Sequence, residues 1–114
     1  MSVKLTTRQV GDVTVIDANG RITLGEGAST FRDTIRDLAV KGDKKLLVNL
    51  SDVSYIDSSG IGEMVSGFTT VTNHGGVLKL LGLTKRVKDL LQITKLYTVF
   101  EVFEDEATAV RSFN

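Results

Sequence analysis

The feature that most constrains the fold is an almost unbroken apolar run in the middle of the chain, LLVNL at positions 46–50. A strand with one solvated face alternates apolar and polar residues, whereas a strand covered on both faces reads as a continuous apolar run. Such strands are typical of parallel sheets with helices packed against them. The run therefore predicts a central strand in an α/β protein.

Apolar periodicity on either side of this run predicts the other elements. The opening stretch, VKLTTRQVGDVTVIDANG, alternates and turns at Gly11-Asp12, which predicts a β-hairpin. Apolar residues at helical spacing predict helices around positions 31–39, 61–71 and 87–91, and a last helix in EDEATAVRSF at 104–113. VLKLLGL and YTVFEVF are the remaining predicted strands.

The predicted element order is β-β-α-β-α-β-α-β-α. It indicates a mixed, mostly parallel sheet of about five strands that opens with a β-hairpin, with about four helices packed against it. A chain of 114 residues has room for one hydrophobic core, and the sequence contains no proline and no linker-like stretch. We therefore expect one α/β domain over residues 1–114.

Composition and charge argue against several classes of function. With 14 basic and 14 acidic residues, the formal net charge is zero, so no overall field attracts nucleic acid or an anionic membrane. No apolar run is long enough for membrane insertion and the N-terminus lacks the apolar stretch of a signal peptide, so we expect a cytoplasmic protein. Because the chain has no cysteine and one histidine, we expect no metal site and no cofactor.

The residues also disfavour an enzyme. A serine nucleophile on a strand-to-helix turn needs G-x-S-x-G, but Ile56 stands where the first glycine before Ser58 would be. The histidine, His74, follows the helix that is predicted to begin near Ser58, and so lies about 20 Å from it at roughly 1.5 Å per residue. That separation is too large for a Ser-His pair.

Two glycine-rich stretches fall short of nucleotide-binding motifs. Gly60-Ile61-Gly62 lacks a third small residue because position 65 is valine, and GEGAST at 25–30 has Thr30 in that place. Close packing of a helix start against the sheet is the simpler explanation for Gly60 and Gly62.

Two polar regions each leave two interpretations open. The basic residues Lys85, Arg86 and Lys88 could meet an acidic partner, although such a cluster is more commonly the solvated face of an amphipathic helix. The segment GRITLGEG at 20–27 is either a binding loop or a flexible crossover.

The stretch DSSGIG at 57–62 lies between the central strand and the second predicted helix. A serine at a helix N-terminus usually caps the helix, and the residues alone favour that role. Two adjacent serines can have different roles. Ser59 and the glycines would start the helix, while Ser58 would point outward. A phosphate on an exposed hydroxyl there would add about −1.5 to −2 charges beside Asp57.

The segment LVNLSDVSYIDSSGIGEM at 47–64 closely resembles the signature of STAS domains of the bacterial anti-sigma factor antagonist type. The similarity extends, at the level of pattern, over essentially the whole chain. The resemblance implies a single STAS domain that is a binding module and not an enzyme.

In this family the unmodified protein binds an anti-sigma factor that is also a serine kinase of the GHKL type, and so releases the sigma factor. The resemblance implies that the kinase phosphorylates Ser58 to switch binding off and that a serine phosphatase reverses the modification. By the same resemblance the partner surface includes the neighbours of Ser58 in the motif, namely Asp57, Ser59, Gly60, Ile61 and Gly62.

One part of the sequence departs from the family pattern. Many members carry a G-E-L-D pattern after the second strand, where this chain has Gly20-Arg21-Ile22-Thr23. We expect Arg21 and Thr23 to lie close to the docked partner, so the change alters the charge of that surface. The alternative function is a constitutive STAS interaction subunit of a larger regulatory or lipid-transport complex, without phosphorylation.

Overall fold

The computed structural model describes residues 3–114, which form one five-stranded sheet with helices on both faces. The strands are β1 (Val3–Val10), β2 (Val13–Ile22), β3 (Lys45–Ile56), β4 (Val77–Leu81) and β5 (Val102–Phe103). The helices are α1 (Glu26–Lys41), α2 (Ser58–Asn73), α3 (Lys85–Ile93) and α4 (Glu106–Arg111). The predicted fold class and order of elements are confirmed.

The strands follow one another across the sheet in chain order, β1-β2-β3-β4-β5. β1 and β2 form the predicted antiparallel hairpin, and all later neighbours are parallel. Because right-handed crossovers that step in one direction place their helices on the same face, α1, α2 and α3 share one side of the sheet. The larger core lies on that side and includes Phe31, Ile35, Met64 and Leu91.

The opposite face of the sheet is covered by α4. Ala109 of this helix packs on Val13, Val15, Leu47 and Leu81 in a second, smaller core. Leu46 and Val48 belong to the larger core while Leu47 belongs to the smaller one, so β3 is buried on both faces as the apolar run predicts.

The loop predicted at 20–27 is longer than the connection that the structure shows. β2 continues to Ile22 and α1 begins at Glu26, so the connection is only residues 23–25. The reason is close packing at Gly27, where a Cβ would lie 2.6 Å from the Arg21 carbonyl oxygen. Glycine here lets the start of α1 lie directly against the end of β2, and it does not supply loop flexibility.

The last strand and the last helix are shorter than predicted. β5 covers only Val102–Phe103 of the predicted 97–103, because Phe100 turns into the core and packs edge-to-face on Phe68 with ring centroids 5.6 Å apart. α4 begins at Glu106, since the Asp105 side chain caps the helix by accepting from the Thr108 backbone N–H at 2.9 Å.

This topology assembles the candidate site at one edge of the sheet. The carboxyl ends of parallel strands lie at the same edge, so the segments that follow β2, β3 and β4 are neighbours there. Ile22 is paired with Ile56 in the sheet register, which places residues 23–25 beside Asp57.

Candidate functional site

The turn between β3 and α2 is organised by Asp57. Its Oδ1 accepts a hydrogen bond from the Gly60 backbone N–H at 2.9 Å, which caps α2. Its Oδ2 accepts from the Leu24 backbone N–H, also at 2.9 Å. The Asp57 backbone N–H donates to the Ile22 carbonyl at 3.3 Å. One carboxylate therefore fixes both the start of α2 and the loop after β2.

This arrangement corrects the expectation that Ser59 holds the helix start. Asp57 is the N-cap, and Ser58 and Ser59 are the first two helical residues. An aspartate is a strong capping residue because its carboxylate accepts from unpaired N–H groups of the first turn. The motif therefore frees both serines from a capping role.

The environment of Asp57 keeps its side chain ionised. Desolvation raises the pKa of Asp57, but the backbone N–H groups of Leu24, Gly60 and Ser59 together outweigh it, and the pKa lies below its ordinary value. Near neutral pH this turn thus carries a fixed negative charge directly before Ser58.

The two serines differ in exposure. Ser58 is exposed, whereas Ser59 is partly buried. Within residues 3–114, neither hydroxyl makes a hydrogen bond to another group of the protein. Of the two side chains, that of Ser58 is therefore the more accessible to solvent.

The two glycines of the motif have different surroundings. A Cβ at Gly60 would overlap the Ile22 carbonyl oxygen and would lie 2.6 Å from Ile56 Cγ1, so only glycine fits. A Cβ at Gly62 would meet nothing within 4 Å. Close packing of the helix start on the sheet, as predicted, explains Gly60 but not Gly62, which is exposed.

Not every predicted partner-binding residue reaches the surface. Arg21 is exposed at the end of β2, and Thr23 is partly buried in the loop tied to Asp57. Ile61 is only 4% exposed and belongs to the larger core. The accessible surface of the site thus comprises Ser58, Gly62 and Arg21, with Ile61 supporting the turn from below.

Three further residues lie at this edge, namely Leu24, Tyr55 and Arg86. Sequence analysis left a binding role open for the segment that contains Leu24 and for the basic cluster that contains Arg86, but gave no signal at Tyr55. Leu24 is 78% exposed beside the Asp57 turn. The Arg21 and Arg86 guanidinium carbons lie 5.0 Å and 5.1 Å from the centroid of the Tyr55 ring. For the two arginines, the signals in sequence were the basic residues at 85–88 and the departure at Arg21, and neither indicates that they meet on one tyrosine.

The structure also gives the position of the histidine and the arrangement of the acidic side chains. His74 lies just beyond α2, at the opposite end of this 16-residue helix from Ser58. Residues 3–114 contain no group of three or more acidic, histidine or cysteine side chains placed to hold a metal ion. No helix among them has both the length and the apolar character needed to cross a membrane.

The STAS domain family model matches residues 4–109 of the chain. The anti-sigma-B factor antagonist of Bacillus subtilis is 32% identical over 102 residues, covering 90% of this chain and 92% of that protein.

Two solved structures share the fold. An anti-sigma factor antagonist from Mycobacterium paratuberculosis has a TM-score of 0.87 at 16% identity, with 98% of this chain and 94% of that chain covered. The phosphorylated form of the Bacillus cell fate determinant SpoIIAA has a TM-score of 0.75 at 18% identity, with 97% and 100% covered. The chain therefore belongs to the STAS domain family and resembles its bacterial anti-sigma factor antagonists.

Proposed function

We propose that this protein is a cytoplasmic anti-sigma factor antagonist controlled by phosphorylation of Ser58. The unmodified form binds an anti-sigma factor that is also a GHKL-type serine kinase, and the sigma factor is released. Phosphate on Ser58 ends the interaction and a serine phosphatase restores it. In this role the protein is a binding module and not an enzyme.

The observation that carries the proposal is the exposed Ser58 hydroxyl directly after the helix cap. Asp57 already uses its two carboxylate oxygens on the Gly60 and Leu24 N–H groups. A phosphate of about −1.5 to −2 charges on Ser58 would therefore add to the negative charge that Asp57 already carries. The added charge faces the partner, where it disfavours an acidic docking surface.

The similarity to named relatives supports the same function. The B. subtilis relative is named an anti-sigma-B factor antagonist and covers nine tenths of this chain. SpoIIAA, which shares the fold, has been solved in a phosphorylated and an unphosphorylated form. A kinase partner, a phosphatase and the acceptor role of Ser58 are our extension of these similarities to this protein.

The test is a titration of the anti-sigma factors encoded in the source genome with purified variants. Ser58→Asp should weaken binding at least tenfold, about 1.4 kcal/mol, while Ser58→Ala should bind like the wild type. Ser66→Asp is the matched control, because Ser66 is an exposed serine on the same helix, about two turns further on. Equal binding by the two aspartate variants would contradict the switch.

A constitutive STAS subunit of a larger regulatory or lipid-transport complex is the second candidate. The observation that favours it is the exposed Arg21 in place of the acidic residue common in the antagonists. This function predicts that Ser58→Asp leaves partner binding unchanged, so the same titration separates the two candidates.

A further inference from the structure

An open groove lies beside the turn that carries Ser58, between the carboxyl end of β3 and α3. Its volume is about 500 Å³, and its lining includes Tyr55, Lys85, Arg86, Asp89, Leu90 and Ile93. We refer to it as the Tyr55 groove. Tyr55 stands two residues before Asp57 in the chain, so the groove continues the surface proposed to bind the anti-sigma factor.

Two arginines lie over the ring of Tyr55, which lines the groove. Arg21 and Arg86 both lie over the Tyr55 ring, and neither forms an ion pair with a carboxylate within residues 3–114. Lys85, in contrast, pairs with Asp89 at 2.9 Å. Stacking on an aromatic ring holds the two guanidinium groups in place while leaving their N–H donors available to a carboxylate.

The groove also offers apolar surface. Ile93 is 77% exposed at the C-terminal end of α3, and Leu90, one turn earlier, is partly buried. An isolated exposed isoleucine needs no explanation, but here it borders a concave site with fixed cationic groups. Apolar contact flanked by charge is the composition expected where one side chain of a partner inserts and its neighbours form ion pairs.

We propose that the Tyr55 groove binds an acidic segment of the partner, with one apolar side chain against Leu90 and Ile93 and carboxylates on Arg21 and Arg86. The inference rests on the proposed function for the partner's identity, and on charge complementarity and continuity with Ser58 for the surface. It also gives Arg21 a role: a basic residue selects a partner with acidic groups at this position. The groove is thus a determinant of partner choice, separate from the phosphorylation switch.

The test compares Arg86→Glu with Lys88→Glu in a titration of the purified anti-sigma factor. Lys88 is the matched control because it is an exposed basic residue of the same helix that lines a different depression with Tyr97 and Glu104. Arg86→Glu should lower affinity at least tenfold, and Lys88→Glu less than threefold. Circular dichroism of both variants checks that α3 is intact. Equal affinities for the two variants would overturn the groove proposal.

The Ser58→Asp variant distinguishes this failure from failure of the proposed function. If Ser58→Asp weakens binding while Arg86→Glu does not, the Ser58 switch is supported and the groove proposal is rejected. If no anti-sigma factor binds the wild type, the proposed function is rejected. A second probe then tests whether the groove binds an acidic segment. That probe is a short peptide with one leucine flanked on both sides by glutamates.

The peptide is titrated into isotope-labelled protein and followed by NMR. It should shift the amide signals of Tyr55, Arg86 and Ile93 in the wild type and in Lys88→Glu, and these shifts should be lost in Arg86→Glu. A peptide with lysines in place of the glutamates should cause no shifts. Absence of shifts with the acidic peptide, or the same shifts with inorganic pyrophosphate alone, would overturn the assignment to an acidic protein segment.

Discussion

At the scale of single residues, the site depends on Asp57 more than on the serines that first draw attention. Its two oxygens hold the Gly60 and Leu24 N–H groups, so one side chain joins the start of α2 to the loop after β2. The sequence predicted an acidic neighbour here but assigned the helix start to Ser59. Serine and aspartate both cap helices, and the residues alone could not decide between adjacent candidates.

Removing the Asp57 side chain should destabilise the protein. We expect Asp57→Ala to lower the free energy of unfolding by about 1–2 kcal/mol, the usual loss for a helix cap. Asp57→Asn should lose less, because its amide oxygen can still accept from Gly60 although its amide group cannot accept from Leu24. Urea unfolding followed by circular dichroism measures both. Equal losses would mean that the hydrogen bond from the Gly60 N–H, which asparagine can keep, contributes nothing to stability.

The lowered pKa of Asp57 makes its contribution depend on pH. The folded state favours the ionised carboxylate, so the stabilisation is complete above the unfolded pKa of about 3.9. It is lost as pH falls through the lower folded-state pKa. The stability difference between wild type and Asp57→Asn should therefore shrink as the pH is lowered from neutral to below the ordinary pKa of an aspartate. A difference that stays constant over this range would contradict the assignment.

Gly60 and Gly62 form a natural pair for mutation. Gly60→Ala forces a methyl group onto the Ile22 carbonyl, which should cost about 1–3 kcal/mol of stability, as overpacking does. Gly62→Ala enters open space within α2 and should be neutral or stabilise by up to about 1 kcal/mol, since alanine is the better helix former. Thermal unfolding compares them. If the two variants were equally stable, the tight packing at Gly60 would be refuted.

At the scale of elements, α4 is held to the sheet by a buried lysine. Lys79 is 6% exposed, and its Nζ donates to the Ser112 carbonyl at 3.0 Å and to the Ser112 hydroxyl at 2.9 Å. The same Nζ lies 4.7 Å from the centroid of the Phe113 ring. The cation therefore links β4 to the residue that follows α4, on the face of the sheet that α4 covers.

Lys79→Ala should loosen α4 without affecting the site. Loss of the two donated bonds removes the Lys79 donor from the Ser112 carbonyl, while the Ser112 hydroxyl keeps its own bond to the Ala109 carbonyl at 2.6 Å. We expect a loss of about 1–3 kcal/mol. Hydrogen exchange of the α4 amides should become faster, while α2 amides keep the same rank order of protection. Lys41→Ala is the control, because Lys41 is exposed and pairs with Asp43 at the long distance of 3.8 Å. Similar effects of both substitutions would argue against the buried link.

Element boundaries show what apolar periodicity can and cannot predict. The hairpin, the buried β3 and the order of all nine elements follow from the pattern of apolar residues. The extents of α1 and β5 do not, because they depend on packing contacts that apolar periodicity does not encode. Gly27 packs on the Arg21 carbonyl, and Phe100 packs on Phe68 instead of joining the strand.

At the scale of the whole molecule, the sheet brings together segments that are far apart in sequence. The carboxyl ends of the parallel strands place Arg21, Tyr55 and Arg86 at one edge beside Ser58. The motif around Ser58 could be identified from the sequence because its residues are contiguous. The Tyr55 groove could not be identified in this way, because no local sequence pattern predicts that residue 86 contacts residue 55.

The most direct test of the account is to phosphorylate the protein and measure what the phosphate does. The protein is incubated with ATP and the anti-sigma factor that binds it, the modified residue is located by mass spectrometry, and the purified phosphoprotein is titrated again. We predict one phosphate on Ser58, present in Ser59→Ala and absent in Ser58→Ala, and an affinity at least tenfold below that of the unmodified protein. Phosphate on another residue, or unchanged affinity with phosphate on Ser58, would contradict it.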